Sequence, residues 1–135
     1  MSFVNWDDSW SVKVKQCDEE HKKLFALIND LHDAMKTGKG KQVLEGVIHE
    51  LLDYTKYHFS AEEALLQRTN YGELVPHRLK HREFTQKVEH FEREMNAGAV
   101  GQSVQVTQYL RDWLVTHIQQ TDQRYSTHLN ASGVR

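Results

Sequence analysis

A single proline in 135 residues, Pro76, is the feature that most limits what this chain can become. Proline breaks helices, because it lacks an amide donor and its ring collides with the preceding turn. Nearly the whole chain is therefore free to run in long helices, and the spacing of its apolar residues shows that it does so. Four stretches alternate apolar positions by three and four. The first presents Leu24, Leu27, Ile28, Leu31 and Met35 and stops at Gly38. Asp18 is its expected N-cap, with Glu19 and Glu20 in the first turn. After a Gly38-Lys39-Gly40 turn, the second reads Leu44, Ile48, Leu51, Thr55, His58, Glu62 and Leu65. Asn70-Tyr71-Gly72 breaks the chain before the third, which shows His77, His81, Phe84, Val88, Phe91 and Met95. Pro76 falls in its first turn, where amides have no intrahelical partner to lose. Gly98 and Gly101 bracket the next turn, and the fourth stretch runs through Val106, Leu110, Trp113, Leu114, His117 and Ile118. The expected fold is all-α, an up-down-up-down antiparallel four-helix bundle with an N-terminal arm. One domain is expected over residues 1–135, with the bundle at about 19–128 and the arm at 1–18.

Composition removes several classes of function. A formal charge of −2, with Lys and Arg interspersed among Asp and Glu, offers no field to draw nucleic acid. The lone cysteine, Cys17, cannot form an internal disulfide, which favours a reducing compartment and a cytoplasmic protein. The N-terminus MSFVNWDDSW lacks the basic and apolar regions of a signal peptide, and no apolar run is long enough to span a membrane. Asn130-Ala131-Ser132 matches the glycosylation tripeptide by chance alone.

Every apolar stripe also carries titratable residues at about one level of the bundle: His21, His58 with Glu62, His77 with His81, and His117. Burying a carboxylate or an unpaired imidazole costs several kcal/mol unless a partner compensates. His58 and Glu62, like His77 and His81, are four apart, one turn above each other on a single face and about 5–6 Å apart. That spacing suits donors converging on metal. Asp122 stands five residues after His117, about 140° round a regular helix, too far to share its face. A π-bulge, a 3₁₀ turn or a helix end is therefore expected within Ile118–Thr121.

The pattern His21, His58-x-x-x-Glu62, His77-x-x-x-His81 and His117-x-x-x-x-Asp122 resembles hemerythrin in its bacterial single-domain form. Asp18-Glu-Glu-His21-Lys-Lys-Leu and Trp113-Leu-Val-Thr-His117-Ile extend the likeness. The resemblance implies two iron ions bridged by Glu62, Asp122 and an oxo or hydroxo group. His77, His81 and His117 would hold one iron, and His21 and His58 the other. Those donors leave one coordination position open, on the second iron, where dioxygen would bind. Imidazole and carboxylate donors suit iron without excluding zinc or manganese. Phe25, Trp113, Leu114 and Tyr125 lie a turn from ligands and are expected to form a dry oxygen pocket, the condition that favours carrying oxygen over consuming it. Thr116 stands where relatives often carry Asn. The function implied is reversible oxygen binding for storage, or for delivery to an oxygen-consuming enzyme, by a monomeric, non-enzymatic protein. An oxygen or redox sensor is the alternative, and a di-iron oxidase or peroxidase a weaker one, since ferritin-like oxidases use four carboxylates and Glu-x-x-His pairs.

Other motifs have ordinary explanations. His32, His49, His90 and His128 lack matching partners and are expected at the surface. His49-Glu50 begins like a zincin helix, but Asp53 occupies the place of the second histidine. Gly38-Lys-Gly-Lys41 lacks the rest of a phosphate loop, Cys17 is expected to be an unreactive thiol, and Glu89–Glu94 reads as an exposed charged face.

Overall fold

The computed structural model describes residues 3–38, 41–97 and 103–135. Helix α1 spans Lys15–Lys36, α2 Lys41–Arg68, α3 Leu74–Asn96 and α4 Ser103–Thr116. A π-helical segment, His117–Asp122, continues α4 directly into α5, Gln123–Ala131, so that these three make the fourth rod. No strand occurs among the described residues. Helix α1 packs on α2, α2 on α3, α3 on α4 and α4 back on α1, which closes the ring of an antiparallel bundle. Lys39, Gly40, Gly98 and Gly101 lie outside the described residues.

The expected stripes form the interior. Leu24, Leu27, Ile28, Leu31, Ile48, Leu51, Phe84, Val88, Leu110 and Ile118 are buried in one cluster. Pro76 sits in the first turn of α3, as its missing amide requires. Asn70 ends α2 in the left-handed conformation, φ 58°. Bonds from Tyr71 N to Leu66 O (2.9 Å) and from Asn70 N to Gln67 O (3.1 Å) close the helix in a Schellman arrangement.

Three local expectations need correction. Asp18 is not the N-cap of α1: the helix begins at Lys15 with Val14 as its cap. The Asp18 carboxylate instead reaches back to accept from Val12 N (2.9 Å) and Ser11 Oγ (2.5 Å), fixing the arm at its junction with the helix. Leu66, not Leu65, is the fully buried leucine near the end of α2, while Leu65 is half-buried. The ends of the bundle also reach further than expected, because Val12 and Val14 are buried before α1 and Leu129 is buried beyond His128.

The arm is held by specific bonds. Asn29 clamps Val4 through both its amide atoms, each contact 2.8 Å. Gln123 donates to Trp10 O and Ser11 O, and Ser126 to Val12 O. Trp6 and Trp10 are thereby laid against Phe25, with ring centroids 6.0 and 5.3 Å away.

Candidate metal centre

The seven residues singled out from the sequence, His21, His58, Glu62, His77, His81, His117 and Asp122, are all buried and converge at one level of the bundle. Helices α1, α2, α3 and the fourth rod each contribute at least one. His117 and Asp122 lie at the two ends of the π segment. Its extra residue per turn returns side chains five apart to one face, and brings His117 Nε2 to 3.0 Å from Asp122 Oδ1. The expected break in regular helix is therefore present, and it re-aims Asp122 as the five-residue spacing demands.

The carboxylate oxygens divide the histidines into two sets. Glu62 Oε1 faces His77 Nε2 (2.8 Å) and His81 Nε2 (3.0 Å), while Asp122 Oδ1 faces His77 Nε2 (3.3 Å) and His117 Nε2. Glu62 Oε2 faces His58 Nε2 (3.3 Å) and His21 Nε2 (3.4 Å), and Asp122 Oδ2 faces His21 Nε2 (3.2 Å). Each carboxylate thus turns one oxygen to a three-histidine group and the other to a two-histidine group. Many of these atoms lie close without the alignment of a hydrogen bond: His81 Nε2, His117 Nε2 and both Asp122 oxygens are buried and have no hydrogen-bond partner. Orphaned donor atoms of this kind, aimed at common points, fit a pair of cations.

Protons report the same concentration of charge. Burial alone would depress His21, but Asp122 and Glu62 push it up to about 10. His77 is likewise opposed by burial and carried up to about 9 by Asp122 and Glu62. For His117, burial wins and holds the imidazole below its ordinary value. Glu62 and Asp122 lie well below the usual carboxylate range: burial opposes this in both, and the facing histidines outweigh it.

Two carboxylates that the sequence reading missed complete the surroundings. Glu20 Oε1 accepts from His58 Nδ1 at 2.7 Å, and Glu63 Oε2 accepts from His81 Nδ1 at 2.8 Å. An ionised carboxylate can only accept, so in both imidazoles Nδ1 carries the proton and Nε2 presents its lone pair inward. Glu63 is also paired with Arg78 Nε at 3.2 Å. The only hint in the sequence was adjacency, since each follows or precedes a donor by one position.

The four residues expected to line an oxygen pocket have distinct places. Phe25 is buried beneath Trp6 and Trp10, and Leu114 is buried in the main core. Tyr125 is fully buried and donates its hydroxyl to Glu62 Oε2 at 2.8 Å. Trp113 is half-buried and stacks on His117, centroids 4.5 Å apart and planes 14° from parallel. Phe59, unremarked in the sequence, stacks on His81 at 3.7 Å.

The remaining histidines are not ligand-like, though two are less exposed than expected. His49 and His90 are exposed. His32 stacks on Phe3 of the arm at 4.0 Å, and His128 lies 3.0 Å from Thr69 Oγ1. Cys17 is buried, and burial with the nearby Glu62 carboxylate raises its thiol far above the ordinary value, so it is a packed, protonated thiol.

Fold and site together define a four-helix bundle built round a paired, histidine-rich cation site. Residues 12–129 match the hemerythrin HHE cation binding domain, and the chain belongs to the hemerythrin family. It is similar to "Bacteriohemerythrin" of Methylococcus capsulatus, 29% identical over 97% of this chain and 100% of that protein. It is also similar to "Hemerythrin-like protein" of Naegleria gruberi, 36% identical over 92% of each. A wild-type hemerythrin crystal structure superposes with a TM-score of 0.89 at 28% identity, covering 95% of this chain and 98% of that one. As a hemerythrin, this protein binds oxygen at a di-iron centre and is not an enzyme.

Proposed function

We propose that His77, His81 and His117, with Glu62 Oε1 and Asp122 Oδ1, hold one iron, and that His21 and His58, with Glu62 Oε2 and Asp122 Oδ2, hold the other. The observation that carries this reading is the division of the two carboxylates, each with one oxygen toward either histidine set. Iron held there would supply the electrons and the binding position that reversible oxygen binding requires.

The chain's own residues set the conditions. Glu20 and Glu63 orient His58 and His81 through their Nδ1 protons. Phe25, under Trp6 and Trp10, and Leu114 exclude water. Tyr125 is a buried donor, but its proton is committed to Glu62, and burial next to that carboxylate holds the phenol well above its ordinary value. It therefore steadies Glu62 without offering a proton to the pocket. A site this dry favours returning oxygen unchanged.

In this reading the protein is a monomeric cytoplasmic oxygen store, or delivers oxygen to an oxygen-consuming enzyme. It acts as one domain, with the arm fastened to the bundle at Asn29 and Gln123. No helix among the described residues is long and apolar enough to cross a membrane. The deciding experiment is to reduce the iron-loaded protein without air, add oxygen, and withdraw it while following the visible spectrum. A band that forms and disappears reversibly is expected. Irreversible oxidation at the first exposure would overturn the carrier role.

A further inference from the structure

The two histidine sets differ in how they meet the surface. The arm lies over Phe25 on the side of His21. Clefts in the surface reach the other set: His117 lines one between α3 and α4, and His81 lines another between α2 and α3. The first has a volume of about 380 Å³ and is walled by Glu83, Tyr109, Trp113, Thr116, His117 and Gln120. That size lies within the range of pockets for small organic molecules.

We infer that this α3–α4 cleft docks a flat aromatic reductant of the dihydroflavin class, and that Trp113 passes its electrons through the stacked His117 ring into the centre. The inference rests on the iron assignment proposed above. Among the described residues, Trp113 is the only side chain both stacked on one of the seven converging residues and lining the larger of these two clefts. Its indole N–H is fixed by Glu83 Oε1 at 3.1 Å, and Phe84 backs the ring with centroids 4.7 Å apart. Tyr109, 39% exposed, adds a second aromatic wall. Thr116 and Gln120 supply hydroxyl and amide groups for the polar edge of a flavin.

The location suits electron transfer and not ligation. Of the seven residues only His117 lines this cleft, and its Nε2 is turned inward to Asp122 Oδ1 at 3.0 Å, so a molecule in the cleft does not meet that nitrogen. Stacked π systems couple well for electron tunnelling, which falls off exponentially with separation. An oxygen carrier also needs such a route, because iron left oxidised after oxygen is lost no longer binds it. A dihydroflavin gives up two electrons and two protons to become the oxidised flavin. With both irons loaded and oxidised, each would take one electron, and the two protons would leave through the open cleft to solvent. A nicotinamide, which delivers both electrons at once as hydride, fits single-electron acceptors poorly.

The first test is equilibrium dialysis of oxidised lumiflavin against the purified protein. Saturable retention is expected, and Thr116→Trp, which fills the cleft from an exposed position, is expected to abolish it; absence of saturable retention in the unaltered protein overturns the docking. The second test mixes oxidised, iron-loaded protein with dihydrolumiflavin without air. Trp113→Leu should slow reduction per iron by about tenfold, and Trp113→Phe, which keeps a ring on His117, should restore most of the rate. An unchanged rate in either Trp113→Leu or Thr116→Trp overturns the proposal, and the second variant decides the matter if the first does not fold. Lumiflavin retention does not depend on iron, so failure of the iron assignment would appear as missing metal with retention intact.

Discussion

The two halves of the centre are built from the same side chains and treated differently by the fold. The half with His21 and His58 lies under the arm, beside the aromatic stack of Trp6, Trp10 and Phe25. The half with His77, His81 and His117 is flanked by clefts and backed by stacked rings, Phe59 on His81 and Trp113 on His117. The difference is one of access. On the proposed assignment, three imidazoles and two carboxylate oxygens would leave little room for a further ligand on one side, so clefts beside it carry little risk. On the same assignment, the side with fewer protein donors is where a ligand would bind, and it is the side over which the arm lies.

The largest effect should come from the residue shared by both halves. Glu62→Ala should abolish stoichiometric iron loading altogether, since each half loses an oxygen. His58→Ala should also prevent full loading, whereas exposed His90→Ala should load as the unaltered protein does. Metal analysis of the three purified variants checks this, and equal loading in all three would dissolve the division into halves. Next in size is the response to stripping the metal. The orphaned atoms concentrate in the π segment and its partners: both nitrogens of His117, both oxygens of Asp122 and Nε2 of His81, against Nδ1 of His21 on the other side. Metal binding free energy is folding free energy where the ligands have no other partners. Chelation should therefore lower the melting temperature, and amide exchange should accelerate more in residues 117–122 than in α1. Uniform acceleration would show that the halves are equally dependent on metal.

The water barrier gives a smaller effect. Leu114 is buried in the core one turn before His117. Leu114→Ala should cost about 2–5 kcal/mol of stability through the cavity it leaves, read from denaturant unfolding. Leu114→Ser should also speed oxidation of the oxygenated protein by admitting water. An unchanged oxidation rate would remove Leu114 from the barrier and leave exclusion to the arm.

What the sequence revealed, and what it hid, follows the same physical line. Six of the seven expected ligands were legible because each interrupts an apolar stripe, and a buried charge without a partner is too costly to be accidental; Asp122 lies off the stripe of its helix and was legible only through its place in the family pattern. The π segment was legible too, because five-residue spacing cannot place His117 and Asp122 on one face of a regular helix. Leu66 was missed for Leu65 because a strict seven-residue repeat drifts by about 20° per heptad against a straight helix, and α2 is long enough for the drift to bring the next residue inward. The start of α1 was missed because the Asp18 carboxylate is satisfied by Ser11 and Val12 of the arm, an arrangement only the folded chain reveals. Glu20 and Glu63 were hidden because a charge next to an inward residue looks like part of a solvated face. Nothing local says that the neighbouring helix has brought an imidazole beside it.

Those two carboxylates allow the finest comparison of the halves. Glu20 acts on His58 in the covered half, and Glu63 on His81 in the open one. Both fix the tautomer and raise the basicity of the inward nitrogen, and losing such a partner typically costs about 10–100-fold in metal affinity. Glu20 is buried, whereas Glu63 is partly exposed and shares its charge with Arg78. Glu20→Gln should therefore weaken metal binding more than Glu63→Gln does, because water and Arg78 already dilute the Glu63 carboxylate's hold on its imidazole. Competition with a chelator of known affinity measures both. Equal losses would mean that burial does not set the strength of these bonds, and that the halves differ in access alone.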